Sequence, residues 1–338
     1  MYDNLVKTIL EDTESLIQPI YIKSDATNMG GLCNASLCYH NDILHVIIRS
    51  VEYTIHCCEG EEKYQSNYEG PLAYYHKDSD LTLKTVNYYG ILNPDTLILE
   101  SYNKIDTTKC DTHPLWCFIG LEDVRLVNWN NIFYAIGVRR DTTTNGQGRM
   151  EFSELELGKN KVNEVNRIRI ESPNIHSYCE KNWMPIKNKP FHFVRWTNPV
   201  EIVEVNLNTA NAKVIYSNTI KFYIMPYELR GGSQLVEWDT SSYLSIIHEC
   251  DFVPKNFNGN KNASYYHRFV IWNNDFSVKY ISSSFNFMST KIEFCIGLEV
   301  IEDYAIILFG YQDNSCYALK LKKNTLNNII WNKLKPVS

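Results

Sequence analysis

The chain has 338 residues, 44% of them apolar and 21% charged, with a formal net charge of −6. That is enough apolar material for a sizeable core in one or two domains. The acidic balance excludes a nucleic-acid footprint spread over the surface, and no run approaches the roughly eighteen consecutive apolar residues of a membrane span.

From the start of the chain, Met1 to Gln18 carries Asp3, Glu11, Asp12 and Glu14 and lacks the basic-then-apolar order of a signal peptide. Its spacing predicts a short amphipathic lead-in helix, with Leu5, Ile9 and Leu16 on one side. A cytoplasmic chain is expected. The ten cysteines are scattered through apolar runs, with no C-x-x-C and no His pair at zinc-finger spacing. They read as reduced, partly buried thiols, and no metal or cofactor is expected. Asn34-Ala-Ser36 and Asn262-Ala-Ser264 match the glycosylation pattern but lack a secretory context.

Beyond residue 18, long helical periodicity is nearly absent and the 23 tyrosines lie among short apolar runs. One pattern recurs: an apolar strand, a tight polar turn, then a second apolar strand. Its copies begin at Ala35, Val124, Trp183, Ser233 and Gly297, with turns at His40-Asn-Asp42, Asn128 to Asn131, Lys187-Asn-Lys189, Glu237 to Thr240 and Ile301-Glu-Asp303. Three of the four intervals are near those of a four-stranded propeller blade. The long first interval holds an insertion around Glu59 to Asp111. The expectation is an all-β, five-bladed β-propeller in a single domain, with residues 1–30 as lead-in and 31–338 as blades. An irregular pair of β-sandwiches is the alternative.

In a propeller the inner strands face one channel, so corresponding repeat positions converge. Just before the first strand of each copy stand Asn34, Glu122-Asp123, Glu180-Lys181-Asn182, Arg230-Gly231-Gly232 and Glu293. At or just past the second strand stand Arg49, Arg139-Arg140, Arg195, His248-Glu249 and Gly310. An acidic chain has placed cations at equivalent places, where convergent guanidinium and ammonium groups suit a phosphate. Sugar transfer needs a carboxylic acid for the leaving oxygen, and a hydrolase that inverts also needs a base for water. Phosphate as nucleophile is already anionic, so one acid among many cations leans towards phosphorolysis or a phosphate-bearing donor. Trp183, Trp196, Tyr265 and Tyr266 are candidate stacking platforms for sugar, although core packing explains each one alone. Gly146-Gln-Gly148 lies in a polar loop, so it is no dinucleotide fingerprint. There is no G-x-S-x-G, no P-loop and no metal-ligand spacing among His45, His56, His76, His113, His176 and His192.

Gly120-Leu-Glu-Asp-Val-Arg125, followed by Leu-Val-Asn-Trp-Asn-Asn-Ile-Phe-Tyr134, resembles the G-x-E-D-P-R…Y-Y signature of the β-mannoside phosphorylases and mannosidases of glycoside hydrolase family 130. It is similar also to the related propeller mannosyltransferases. Asn34…Arg49 resembles that family's first-blade element, Lys181-Asn182…Pro185…Arg195 its third-blade element and Ile247-His248 its fourth-blade element, and the likeness runs from about residue 30 to 315. Val124 stands where the family has Pro, and Arg230-Gly-Gly-Ser233, His267-Arg268 and Ile292-Glu-Phe-Cys-Ile-Gly297 depart from the phosphorylase pattern. The resemblance implies an inverting enzyme that transfers a hexosyl unit, mannosyl by analogy, between a β-glycoside and a phosphate-type group. It implies Asp123 as catalytic acid, acting through a hydroxyl of the bound sugar. Asn34, Arg49, Glu122, Arg125, Trp183, Arg230 and His267 are then expected to bind substrate. Arg139, Arg140, Lys181, Arg195 and His248 are expected to bind the phosphate group. Partners are a glycan and phosphate, a sugar phosphate or a nucleotide sugar. Hydrolysis with Glu122, Glu180 or Glu249 as base, and a non-catalytic glycan-binding propeller, are the competing readings.

Overall fold

The computed structural model describes residues 4–23, 25–27, 30–55, 74–76, 82–218, 225–253 and 262–334. Cys57, Cys58, His56 and much of the insertion after Glu59 lie outside the described residues. The framework is all-β and propeller-like. Strands Gly31–His40, Ile43–Val51, Leu83–Leu92 and Leu99–Asp106 pair antiparallel in that order. Leu121–Trp129, Ile132–Arg139, Arg149–Leu157 and Val162–Arg169 repeat the arrangement. The outermost strands of these two units run parallel where Val162 faces Ile105, which fuses them into one curled sheet.

A third sheet holds Met184–Pro185, His192–Thr197, Val200–Asn206 and Asn211–Ser217. The fourth is built on the long hairpin of Ser242–Val253 with Asn262–Asn273. Val278–Ile281 flanks it on one side, and the short strands Glu228–Arg230 and Val236–Asp239 share the other. The fifth holds Glu293–Ile301, Tyr304–Tyr311, Ser315–Lys322 and, from the opposite end of the sequence, Leu16–Pro19.

All five expected hairpins are present. Two of them turn on Asn41-Asp42 and Asn130-Asn131, with both residues of each pair at positive φ. That is the two-residue turn whose twist matches the flanking strands, and Asn and Asp tolerate it best among residues with a Cβ.

Core clusters lie between successive sheets. Ile47 and Tyr89 of the first unit meet Val124 and Leu126 of the second. Trp129 and Phe152 of the second meet Phe193 of the third, and Ile202 of the third meets Ile247 and Trp272 of the fourth. Phe269 of the fourth meets Phe309 of the fifth, while Leu308 of the fifth returns to Leu37 of the first. This circular order brings the first strands of the hairpins towards a common axis.

The lead-in differs from its expected form. The helix spans only Leu5–Ile9, started by Asn4, whose Oδ1 accepts from Lys7 N at 2.7 Å. Leu16 sits not on that helix but in a strand, opposite Lys320. The edge of Ser315–Lys322 presents unpaired backbone groups, and the Leu16–Pro19 backbone satisfies them. Leu5 and Ile9 are fully buried against the C-terminal segment Leu326 to Ile330. Among the described residues no helix is long and apolar enough to cross a membrane, and the eight cysteines there are free.

Candidate active site

The site is built from the innermost strands. Asn34, Asp123 and Asn182 occupy matching places in the first three units, and all have left-handed backbones, with φ of 45°, 51° and 61°. Asn34 and Asp123 each sit in a bulge: Asn34 and Ala35 oppose Ile48 alone, and Asp123 and Val124 oppose Gly137 alone. A bulge with a left-handed residue turns a side chain out of the ordinary alternation. Asn and Asp adopt that backbone more readily than bulkier residues.

The turned side chains meet. Asn34 Nδ2 donates to Asp123 Oδ1 at 2.8 Å, and Arg49 Nη1 donates to the same oxygen at 2.7 Å. Arg49 is itself oriented by Thr85 Oγ1 and Tyr53 OH, each at 3.1 Å. Arg125 Nη1 donates to the backbone carbonyl of Asp123 at 2.6 Å. Its Nε and Nη2 reach across to the Gly232 carbonyl at 3.2 and 2.9 Å, and its guanidinium lies 5.8 Å from the ring centre of Phe294. One arginine therefore links the second, fourth and fifth sheets. Gly310 passes so close that a Cβ there would stand 2.4 Å from Asn34 Oδ1.

The two adjacent carboxyls are pushed in opposite directions. Burial pushes Asp123 up, but Arg49, Arg125, the Asn34 amide and Lys181 together hold it below the usual carboxylate range. Burial raises Glu122, and the Asp123 charge adds to this against the pull of Arg49, Lys181 and Arg140. Glu122 Oε2 lies 3.8 Å from Arg49 Nη2, and its buried Oε1 has no hydrogen-bond partner among the described residues. A third carboxyl, Asp313, is pushed up to about 6 by burial, with Arg49 and the Asp123 charge acting on it in opposite directions. Asp313 was missed in the sequence because it lies in a turn of the last hairpin, outside the repeat positions. Its positive φ of 49° is the local feature that an Asp in such a turn signals. Thr85 and Tyr53 were missed for a similar reason: they flank the repeat and bear on the site through Arg49.

The expected phosphate ligands divide. Lys181 is exposed and acts electrostatically on Glu122, Asp123 and His248. Arg230 pairs across strands with His248, beside Phe252 at 5.2 Å, and among the described residues its ion partner is the exposed Glu228. His248 is buried, 4.5 Å from the Phe294 ring and 5.4 Å from Tyr265. Burial, His267 and the surrounding cations keep it neutral, and its Nδ1 has no partner among the described residues. Arg140 acts on Glu122 but is held by the Gly146 carbonyl and Tyr178, over the Phe118 ring.

Other residues are engaged elsewhere. Arg139 is buried between Asp141 and Glu151, and it lines a cavity of about 290 Å³ between the first two units rather than the Asp123 site. Arg195 makes a bidentate pair with Glu180, at 2.9 and 2.6 Å, and a further pair with Glu201. Trp183 is 1% exposed in the core, with Nε1 on Glu180 at 3.0 Å. It presents no face to a sugar. His267 packs on Phe285 and Phe287 and accepts from Cys295 N at 3.3 Å. Burial pushes its pKa down to about 3, so it is a neutral core residue. Among the proposed bases for water, Glu180 is spent on Arg195 and Glu249 on Arg268. Trp196 is exposed, and Tyr266 stacks on Tyr227. Among the described residues no group of three or more His, Cys, Asp or Glu is placed to hold a metal ion.

No family model matches the chain, and no curated protein matches it in sequence. Solved structures do. The β-1,2-mannobiose phosphorylase of Listeria innocua superposes with a TM-score of 0.52 at 11% identity, over 93% of each chain. A protein described among the mannoside phosphorylases and glycoside hydrolases that target β-1,2-mannosidic linkages in Candida mannan gives 0.54 at 10%, over 87% of this chain and 84% of that one. A putative glycoside hydrolase from Parabacteroides distasonis gives 0.51 at 10%, over 95% of each. In fold, the chain resembles the mannoside phosphorylases. The likeness spans nearly the whole chain, as the repeat pattern implied.

Proposed function

We propose that the chain is a five-bladed β-propeller and an inverting carbohydrate-active enzyme that moves a mannosyl unit between a β-mannoside and a phosphate-type group. The observation that carries this reading is the convergence on Asp123 of Asn34 and Arg49 from one sheet and Arg125 from its own. Buried, hydrogen-bonded charge is costly to build, and its concentration at one end of the inner strands is characteristic of a working site. In this reading Asp123 is the catalytic carboxylate, engaging a hydroxyl of the sugar. Asn34, Arg49, Arg125 and Glu122 surround that sugar.

Lys181, Arg230 and His248 form the phosphate side, with Arg140 at its margin. Phosphate is favoured over water as nucleophile because Glu180 and Glu249 already neutralise Arg195 and Arg268, which leaves few bases for water. The similarity in fold to mannoside phosphorylases supports the substrate class. The free thiols agree with a reducing, cytoplasmic setting.

The test is product analysis on β-linked mannobioses with and without inorganic phosphate. Mannose 1-phosphate formed only with phosphate is the expected result. Free mannose at equal rates in both arms indicates hydrolysis. Saturable binding of mannosides without turnover indicates a glycan-binding propeller.

A further inference from the structure

A second cavity lies at the other end of the innermost strands. Asp123 stands near the start of Leu121–Trp129 and Asn128 near its end, and Asn34 and Tyr39 are spaced likewise on Gly31–His40. Five residues of strand put about 15 Å between the Asp123 site and this cavity. Its volume is about 210 Å³, and each of the five hairpins contributes to its wall, through Tyr39, Asn128, Lys187, Gln234 and Glu299. Bonds between hairpins hold that wall in shape. Tyr39 N donates to Glu299 Oε2 at 2.9 Å, Lys187 Nζ lies 2.5 Å from Glu299 Oε1, and Gln234 Nε2 donates to the Leu37 carbonyl at 2.9 Å.

Two polar atoms of the wall lack partners. Gln234 is 3% exposed, and its Oε1 has no hydrogen-bond partner among the described residues; nor has Asn128 Nδ2. One is an acceptor and the other a donor, and each costs free energy while it stays unpaired. A hydroxyl group both donates and accepts, so hydroxyls satisfy the two together. Charge narrows the choice. Among the described residues Lys187 is the only lysine or arginine of the wall, and the buried Glu299 holds it. No free cation remains for a phosphate or a carboxylate, and the Lys187 ammonium repels an amine.

The walls decide between water and a larger occupant. The space has room for about seven waters. Those lying against Leu37, Leu126 and Val127 would lack the polar partners that an ordered buried water needs. The C–H faces of a polyol can rest on the same side chains while its hydroxyls reach Gln234 and Asn128. The exposed members of the wall, Asn188 and Glu237, mark the mouth, where Asn188 Nδ2 donates to Glu237 Oε1 at 2.6 Å.

We propose that this cavity is a second binding site, separate from the Asp123 centre, for a neutral polyhydroxylated molecule no larger than one sugar ring. The site does not depend on which reaction the Asp123 centre performs.

Hydrogen exchange of the full chain, read by mass spectrometry, locates binding without reference to turnover. The probes are D-mannose, myo-inositol, glycerol and inorganic phosphate. Slower exchange is expected in segments 37–42, 126–131 and 186–189 with at least one of the three polyols and not with phosphate. Asn128→Ala removes the free donor and should raise the polyol concentration needed for this protection about tenfold, while any protection of segment 120–125 by the same probe stays unchanged. Gln234→Met removes the free acceptor together with the bond to Leu37 and lowers stability; Asn128→Ala, at a half-buried position, carries the test if that variant does not fold. No protection of these segments by any of the three polyols, up to tenths of a molar, shows that water alone fills the cavity and overturns the site. Protection undiminished in Asn128→Ala places the binding elsewhere and overturns it too. Protection by phosphate as strong as by the polyols overturns the neutral class.

Discussion

The Arg49 guanidinium and the Asp123 carboxylate, 74 residues apart in sequence, meet at 2.7 Å across the boundary between the first two repeating units. Only 6% of the arginine side chain and 14% of the aspartate side chain are exposed. Among the described residues the next carboxyl group to Arg49 is that of Glu122, at 3.8 Å. The pair therefore couples the seam between two sheets to the charge state of the site.

Removing one side of this pair should be expensive. Arg49→Met leaves the Asp123 charge without its partner, at a cost on the order of 3–5 kcal/mol at neutral pH. Asp123 is held below its ordinary value of 3.8, so the stabilisation is present above that value and lost as pH falls through the folded one. The gap between wild type and Arg49→Met, followed by denaturant unfolding, should close below about pH 4. A constant gap down to pH 2 would show that packing rather than charge is what Arg49 contributes.

Asp123→Asn keeps the shape and both donors' reach but removes the charge. Turnover should fall by at least about 10²-fold, while mannoside binding measured by calorimetry changes little. Full activity in this variant would remove Asp123 from the catalytic centre.

Lys181→Ala and Arg230→Ala should raise the KM for phosphate several-fold more than the KM for the glycan, with nearly unchanged melting temperatures. Arg195→Ala should do the reverse. Its guanidinium is locked between Glu180 and Glu201, so its removal strands two carboxylates, one of them buried, and lowers stability. Equal effects on both KM values in the Lys181 and Arg230 variants would count against a phosphate site there.

Gly310→Ala is a steric probe of the same centre. The added methyl would stand 2.4 Å from Asn34 Oδ1 and 2.8 Å from Asn34 N, closer than real carbon contacts. Asn34 must shift, at a cost of about 1–3 kcal/mol, and it loses its hold on Asp123. The expected outcome is lower kcat in a protein that still folds; wild-type kinetics would show that Asn34 does not position the carboxylate.

The hairpins were legible because their turn residues and period-two alternation are local. The site was legible only where it followed the repeat: Asn34, Arg49, Asp123 and Arg125 share register, and register becomes proximity when the sheets close into a ring. Sequence position could not separate Arg140 from Arg139, or Lys181 from Arg195. Which carboxylates face a given guanidinium depends on partners such as Glu151 and Glu201, which belong to neighbouring strands. Trp183 and His267 were expected at the site, but Trp183 precedes the short strand Met184–Pro185 with its ring in the core, and His267 lies on the second strand of the long hairpin, packed on Phe285 and Phe287. Leu16 looked helical because a four-residue edge strand is too short to display a period of two.

That edge strand has a consequence for assembly. Leu16 pairs with Lys320 and Pro19 with Tyr317, so the fifth sheet cannot be completed until some three hundred residues separating its parts have been made and gathered. During synthesis the segment waits without its partner while the intervening sheets form. Closure is then a late, cooperative event, and it joins Leu5 and Ile9 to Leu326 and Ile330 in the same step. The bond from Arg125 to the Gly232 carbonyl, 107 residues further on, likewise waits for chain made long after the second unit.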